Sequence, residues 1–221
     1  MTHKKVWESL LLHSTRNSQP INVHLDAPRP EGYVAFQDRY QDAQDISISD
    51  YPKFIWFESY DLPKKKKENL PDIFTGAMAL IFVSTEMRDL LMKFELGRTR
   101  FHEVPLFEYD QQTPYPGRRW FMMHILENRK TFVPKLSTGL REVGESTDVW
   151  QANPEGKNKL AVNPSAASDL DFWMDRNVLS RVFFSDRLKV AIKNSGLSAR
   201  WLGFRPCKIV SDRPVLEATI L

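Results

Sequence analysis

The sequence predicts an α+β fold, a mixed β-sheet with two similar strand-Ser-helix units packed on it, and three observations carry that reading. One pattern occurs twice without gaps: Ala79-Leu80-Ile81-Phe82-Val83-Ser84 runs into Thr85 to Phe94, and Arg181-Val182-Phe183-Phe184-Ser185 runs into Asp186 to Lys193. Ile81 to Val83 and Val182 to Phe184 are short continuous apolar runs, which suit strands covered on both faces. Met87, Leu90, Leu91 and Phe94 fall at i, i+3, i+4 and i+7, with Leu188, Ala191 and Ile192 at the equivalent places, so a helix burying one stripe follows each strand.

The junction serines explain why the helices start where they do. A serine oxygen accepts from an otherwise unpaired amide of the first turn, and Glu86 and Asp186 add negative charge where the helix dipole favours it. Each copy then leaves through glycine, Gly97 or Gly196, into a Phe-then-Pro strand, Phe101 to Leu106 or Phe204 to Val210.

In chain order, Val6 to Leu12 reads as a short helix and Ile21 to Leu25 alternates as a half-buried strand. A turn with Pro28, Pro30 and Gly32 leads into Tyr33 to Phe36, read as a strand, and then Gln37 to Asp50, a loop or short exposed helix. Lys53 to Glu58, Trp120 to Leu126 and Thr131 to Val133 are strand-like, whereas Gly139 to Asn163 is polar enough to read as a long exposed loop. Asp169 and Asp171 read as an exposed pair, and Pro214 to Leu221 as a final edge strand. The 221 residues fit a single domain, or two intimate lobes at about 1–135 and 165–221 joined by the loop at 139–163.

Charge and composition exclude several functions. A net charge of +3 falls short of a concentrated nucleic-acid-binding surface. Asp26 to Asp61, however, holds eight acidic residues against three basic ones. Lys64 to Lys67 read as a solvated loop rather than a phosphate contact, because aromatic and Arg interleaving is absent. The single Cys207 excludes an internal disulfide and a cysteine zinc cluster. The N-terminus lacks the h-region and cleavage site of a signal peptide, and no apolar stretch approaches a membrane span, so the expected location is cytoplasmic, with no membrane partner.

The chemistry-bearing residues do not assemble into a catalytic pattern. His3, His13, His24, His102 and His124 show no H-E-x-x-H or i, i+4 spacing, and no metal site is expected. Neither G-x-G-x-x-G nor a Walker motif is present, so no cofactor is expected. No glycine flanks Ser84 or Ser185 to form a nucleophile elbow. Trp150 differs from the other aromatics: it stands in a polar, acidic stretch, where it suits an anchor for a partner.

Three motifs together resemble a known family. They are I-F-V-S-x-x-[ML]-R-D-L-L at Ile81 to Leu91, the Pro116-Gly117 turn into Trp120 to Leu126, and V-F-F-S-D-R-L-K at Val182 to Lys189 leading to Phe204-Arg205-Pro206. Over roughly residues 75 to 210 the chain resembles the immunity protein 11 family of bacterial polymorphic-toxin and type VI secretion systems, first catalogued as a domain of unknown function. The resemblance implies a small cytoplasmic protein that binds a cognate toxin or effector and blocks it without catalysis. The acidic stretches suggest the interface: Asp38, Asp42, Asp45, Glu142, Glu145 and Asp148, with Trp150 as anchor. The alternatives are a hydrolase-like enzyme assembled from distant Ser, His and Asp, a general protein-binding regulator, and a nucleic-acid module using Lys64 to Lys67 with Arg118 and Arg119.

Overall fold

Period-2 alternation within the apolar runs decides the layering. The computed structural model describes residues 5–59, 69–144, 148–152, 159–167 and 169–210. The elements of the first half are β1 (Val6–Ser9), β2 (Ile21–His24), α1 (Glu31–Gln41), β3 (Phe54–Phe57), β4 (Ile73–Thr75), β5 (Ile81–Ser84), α2 (Thr85–Leu91), β6 (Arg100–Val104) and β7 (Leu106–Phe107). The second half adds β8 (Trp120–His124), β9 (Leu140–Glu142), β10 (Trp150–Ala152), β11 (Ala161–Val162), β12 (Phe172–Met174), β13 (Val182–Ser185), α3 (Asp186–Asn194), β14 (Arg205–Pro206) and β15 (Lys208–Ile209). The fold class is α+β.

Each strand-Ser-helix segment lies in its own antiparallel four-stranded sheet, β4-β5-β8-β6 for the first and β12-β13-β1-β14 for the second. The registers match as well. Ser84 stands opposite Trp120 and Val83 opposite Phe121, while Ser185 stands opposite Val6 and Phe184 opposite Trp7. Mixed pairing occurs in β2-β3-β7, where β3 runs antiparallel to β2 and parallel to β7.

Successive side chains of a strand point to opposite faces, so one apolar run feeds two cores. Ile81 and Val83 join Met87 and Leu91 of α2 in a central cluster, while Phe82 packs on the other side with Phe36 and Tyr40 of α1. Val182 and Phe184 enter the same central cluster with Leu188 and Ile192 of α3, and Phe183 faces a third cluster with Trp173, Ala152 and Val162. Both helices therefore share one core between the two sheets. Both caps form: Ser84 Oγ accepts from the Met87 amide and Ser185 Oγ from the Leu188 amide, each at 3.2 Å.

Four local expectations are corrected. Val6 to Ser9 is a strand, because it fills the gap between β13 and β14, where tertiary pairing outweighs local propensity. Tyr33 to Phe36 belongs to α1, whose buried positions Phe36 and Tyr40 lie at i, i+4. The stretch 139–163 is not a plain exposed loop: β9, β10 and β11 form there, and Ala152, Leu160, Ala161 and Val162 are buried. Asp171 is buried because the Arg187 guanidinium and the Ser185 hydroxyl satisfy its carboxylate. Lys64 to Lys67, Glu145 and the strand expected at Pro214 to Leu221 lie outside the described residues.

Candidate functional site

Helix α1 presents the first acidic stretch because its buried face is fixed. The Tyr40 hydroxyl donates to the Met123 carbonyl at 2.7 Å and accepts from the Ile81 amide at 3.1 Å, which turns Asp38 and Asp42 outward. Ala43 follows in the left-handed region at φ 54° and redirects the chain. Asp45 then reaches Arg100 at 2.8 Å, and Asp50 reaches Arg39 at 3.2 Å. Asp38 and Asp42 have no cationic partner among the described residues.

The second acidic stretch is a hairpin. Strands β9 and β10 place Glu142 opposite Trp150, and exposed Asp148 takes a left-handed φ of 51°. Trp150 is half-buried against the third cluster, so it is part of the packing as well as a neighbour of acidic side chains. Its amide donates to the Asn177 carbonyl at 2.9 Å, its carbonyl accepts from the Leu179 amide at 2.8 Å, and Asn177 Nδ2 donates to the Asp148 carbonyl at 2.9 Å. The hairpin is thereby clipped to residues 177–179.

Val178 and Leu179 belong to one wall of a cleft of about 500 Å³. Gln41, Asp42, Gln44 and Ala79 lie on the α1 side, and Asn128, Met174, Arg176, Leu179 and Ser180 lie opposite, with Leu12 also lining it. Asp175 stiffens the second wall: its carboxylate accepts from the amides of Thr131 at 2.6 Å, Phe132 at 2.7 Å and Asn177 at 3.0 Å. Ala79 and Ser180 both line the cleft with positive φ, 57° and 53°, a backbone geometry uncommon outside glycine.

The structure thus brings Asp42 to the cleft itself, while Asp148 and Trp150 support the opposite wall from behind. Asp38 and Glu142 remain on exposed element faces, and Asp45 is occupied by Arg100. Arg176, Leu179 and Asn128 escaped the sequence reading. An isolated Arg-Asn and Asn-Arg in loop segments carry no periodic signal; the Trp150 to Val178 and Asn128 to Met174 bridges that position them are tertiary contacts.

Of the histidines, His13 lies at the cleft rim, its Nε2 3.3 Å from the Leu179 carbonyl, whereas His102 and His124 sit together elsewhere. His124 Nδ1 and the Tyr51 hydroxyl are 2.8 Å apart, Tyr40 stacks on the imidazole at 4.8 Å, and burial pushes the ring down to about 4. His102 stacks on Tyr51 at 4.9 Å and is also pushed down, by burial and then Lys53. Neither lines the cleft. Cys207 sits between β14 and β15, where burial pushes its thiol well up and keeps it protonated. Among the described residues no group of His, Cys, Asp or Glu is arranged to hold a metal ion, and no helix is long and apolar enough to cross a membrane.

Residues 15–209 match the family described as Immunity protein family (Imm11). The chain belongs to the Imm11 family. The match takes in α1, both four-stranded sheets apart from β1, the β9–β10 hairpin and the cleft walls other than Leu12, and so reaches about sixty residues further towards the N-terminus than the sequence motifs did. No curated protein matches the chain. Membership in Imm11 carries a toxin-neutralising immunity role and, with it, a toxin as binding partner.

Proposed function

We propose that this Imm11 protein acts in the cytoplasm, where it binds one cognate secreted toxin or effector of a polymorphic-toxin or type VI system and neutralises it, without chemistry of its own. The proposed toxin-facing surface comprises Asp38, Asp42, Asp45, Glu142, Glu145, Asp148 and Trp150. Family membership over residues 15–209 is the observation that carries this reading. Support for the surface comes from geometry: one acidic stretch borders the cleft and the other braces its far wall. A rigid frame with exposed charge favours fast encounter and rejection of wrong partners.

Affinity capture with the tagged protein from lysate of its source bacterium tests it. The expected result is one stoichiometric partner with a toxin domain, whose toxicity in cells this chain abolishes. A toxin that is captured yet stays fully toxic in the presence of the chain, or the absence of any such partner, overturns the reading.

A further inference from the structure

The cleft holds two opposite charges that do not meet. Asp42 on the α1 wall and Arg176 on the facing wall are both exposed, and among the described residues neither has an ion-pair partner. Charges nearby behave differently: Asp45 is paired with Arg100, Asp50 with Arg39, and Arg129 with Asp169. Asp42 and Arg176 are anchored on separate elements, the Arg176 amide on Asn128 Oδ1 at 2.9 Å and Asp42 as the C-cap residue of α1. The same lining carries the apolar side chains of Leu12 and the exposed Leu179, whose amide is bonded to the Trp150 carbonyl, beside the polar Gln41, Gln44, Asn128 and Ser180.

We propose that this cleft receives an extended segment of the toxin that carries a basic side chain for Asp42, a carboxylate for Arg176 and an apolar side chain that covers Leu179. The proposal rests on the toxin-binding reading above and specifies the chemistry of its partner. About 500 Å³ admits a few side chains rather than a folded element. Each wall charge is solvated in the free protein and becomes part of a partly desolvated pair on docking, which makes polarity as well as net charge a determinant of fit. The walls need little rearrangement, because Asp175 and the Trp150 clip already order one of them and α1 the other.

The test uses the toxin domain recovered by capture, in catalytically inactive form, titrated against the full chain by calorimetry. Asp42→Arg and Arg176→Asp are each expected to weaken binding tenfold or more, and the double exchange, which leaves net charge unchanged, is expected to weaken it at least as much. Leu179→Ala is expected to weaken binding about fivefold. All three positions are exposed, and a thermal melt confirms folding of each variant. A tighter complex with Arg176→Asp together with near-normal affinity of the double exchange would show that only bulk acidity matters and would overturn the proposal. Wild-type affinity in all four variants, with neutralisation intact, overturns the proposal while leaving the toxin-binding reading standing. Failure of the unmodified chain to bind any toxin overturns both.

Discussion

Asp72 and Asp171 lock the two strand-Ser-helix segments to each other by the same bonds, made in opposite directions. Asp72 Oδ1 accepts from the Ser84 hydroxyl at 2.7 Å, and Asp171 Oδ1 accepts from the Ser185 hydroxyl. The second oxygen of each crosses over. Asp72 Oδ2 accepts from the Ser198 amide beyond α3 at 2.7 Å, and Asp171 Oδ2 accepts from the Glu95 amide beyond α2 at 2.9 Å. Their amides return the exchange, to the Ser198 carbonyl at 3.0 Å and the Glu95 carbonyl at 2.8 Å. The likeness extends to the helices: Arg88 lies over the Phe121 ring at 4.0 Å and Lys189 over the Trp7 ring at 3.7 Å. The duplicated unit is thus a local two-fold arrangement around one shared core.

Because each carboxylate is buried and satisfies donors from both units, Asp72→Asn and Asp171→Asn should each destabilise the protein by about 2–4 kcal/mol, the range for losing charge-assisted bonds and leaving buried donors short of acceptors. Urea denaturation measures this directly. Similar losses at the two positions are expected from the matching geometry, and a cost under about 1 kcal/mol at either would show that the crossed bonds are not what holds the units together.

A second buried charge pair should respond differently to single and double replacement. Glu8 and Arg181 are both buried, with Oε2 3.1 Å from Nε; burial pushes the carboxyl up and the guanidinium down from their ordinary ranges. Removing one partner strands the other, so Glu8→Gln or Arg181→Met should cost about 3–5 kcal/mol. Glu8→Leu combined with Arg181→Met should recover most of that loss, because well-packed apolar groups replace two desolvated charges. The denaturant midpoints of the three variants give the comparison.

The pH dependence follows from His124. Its folded value is about 4 against 6.5 in the unfolded chain, so between those values the unfolded state binds more protons. Stability is therefore unaffected at pH 7 and is lost as pH falls below 6.5, by about 2 kcal/mol at pH 5. His124→Gln removes this contribution, so the variant should lose about 2 kcal/mol less than the wild type between pH 7 and pH 5. Equal losses would exclude His124 as the source. Comparing the variants cancels the other titrating groups.

Gly97 and Gly196 are equivalent in the repeat but not in their surroundings. Both have positive φ, 58° and 73°, yet a Cβ at Gly97 would lie 2.4 Å from Glu127 Oε2, whereas nothing stands within 4 Å of one at Gly196. Gly196→Ala should cost about 1 kcal/mol for the left-handed backbone alone. Gly97→Ala should cost more, because Glu127 must also move, and paired thermal melts will rank the two.

On the binding surface, Glu142→Lys combined with Asp148→Asn should slow association with the captured toxin several-fold and flatten its salt dependence while leaving the melting temperature unchanged. Asparagine is chosen at Asp148 because it tolerates the left-handed conformation found there. An unaltered association rate would remove the hairpin from the interface.

The local signals that proved readable were those completed within a few residues. Ser84 and Ser185 cap the helices that directly follow them, and the runs at Ile81 and Val182 announced strands buried on both faces. Tyr33 to Phe36 misled because four residues do not distinguish period 2 from period 3.6; the deciding partner, Tyr40, lies beyond that window. Polar composition hid β9 to β11, whose buried positions are few and small, such as Ala152 and Ala161.

The sequence by itself determined the duplicated unit, the helix starts and the apolar strands, since these depend on hydrogen bonds and periodicities local to the chain. Only the tertiary structure decided that β1 from the N-terminus completes the second sheet in the place β8 takes in the first, that Asp171 is buried, and that Asp42 and Arg176 line one cleft. Each of those outcomes joins residues more than a hundred positions apart or depends on a partner that neutralises a buried charge, and such energies belong to the folded arrangement rather than to any window of sequence.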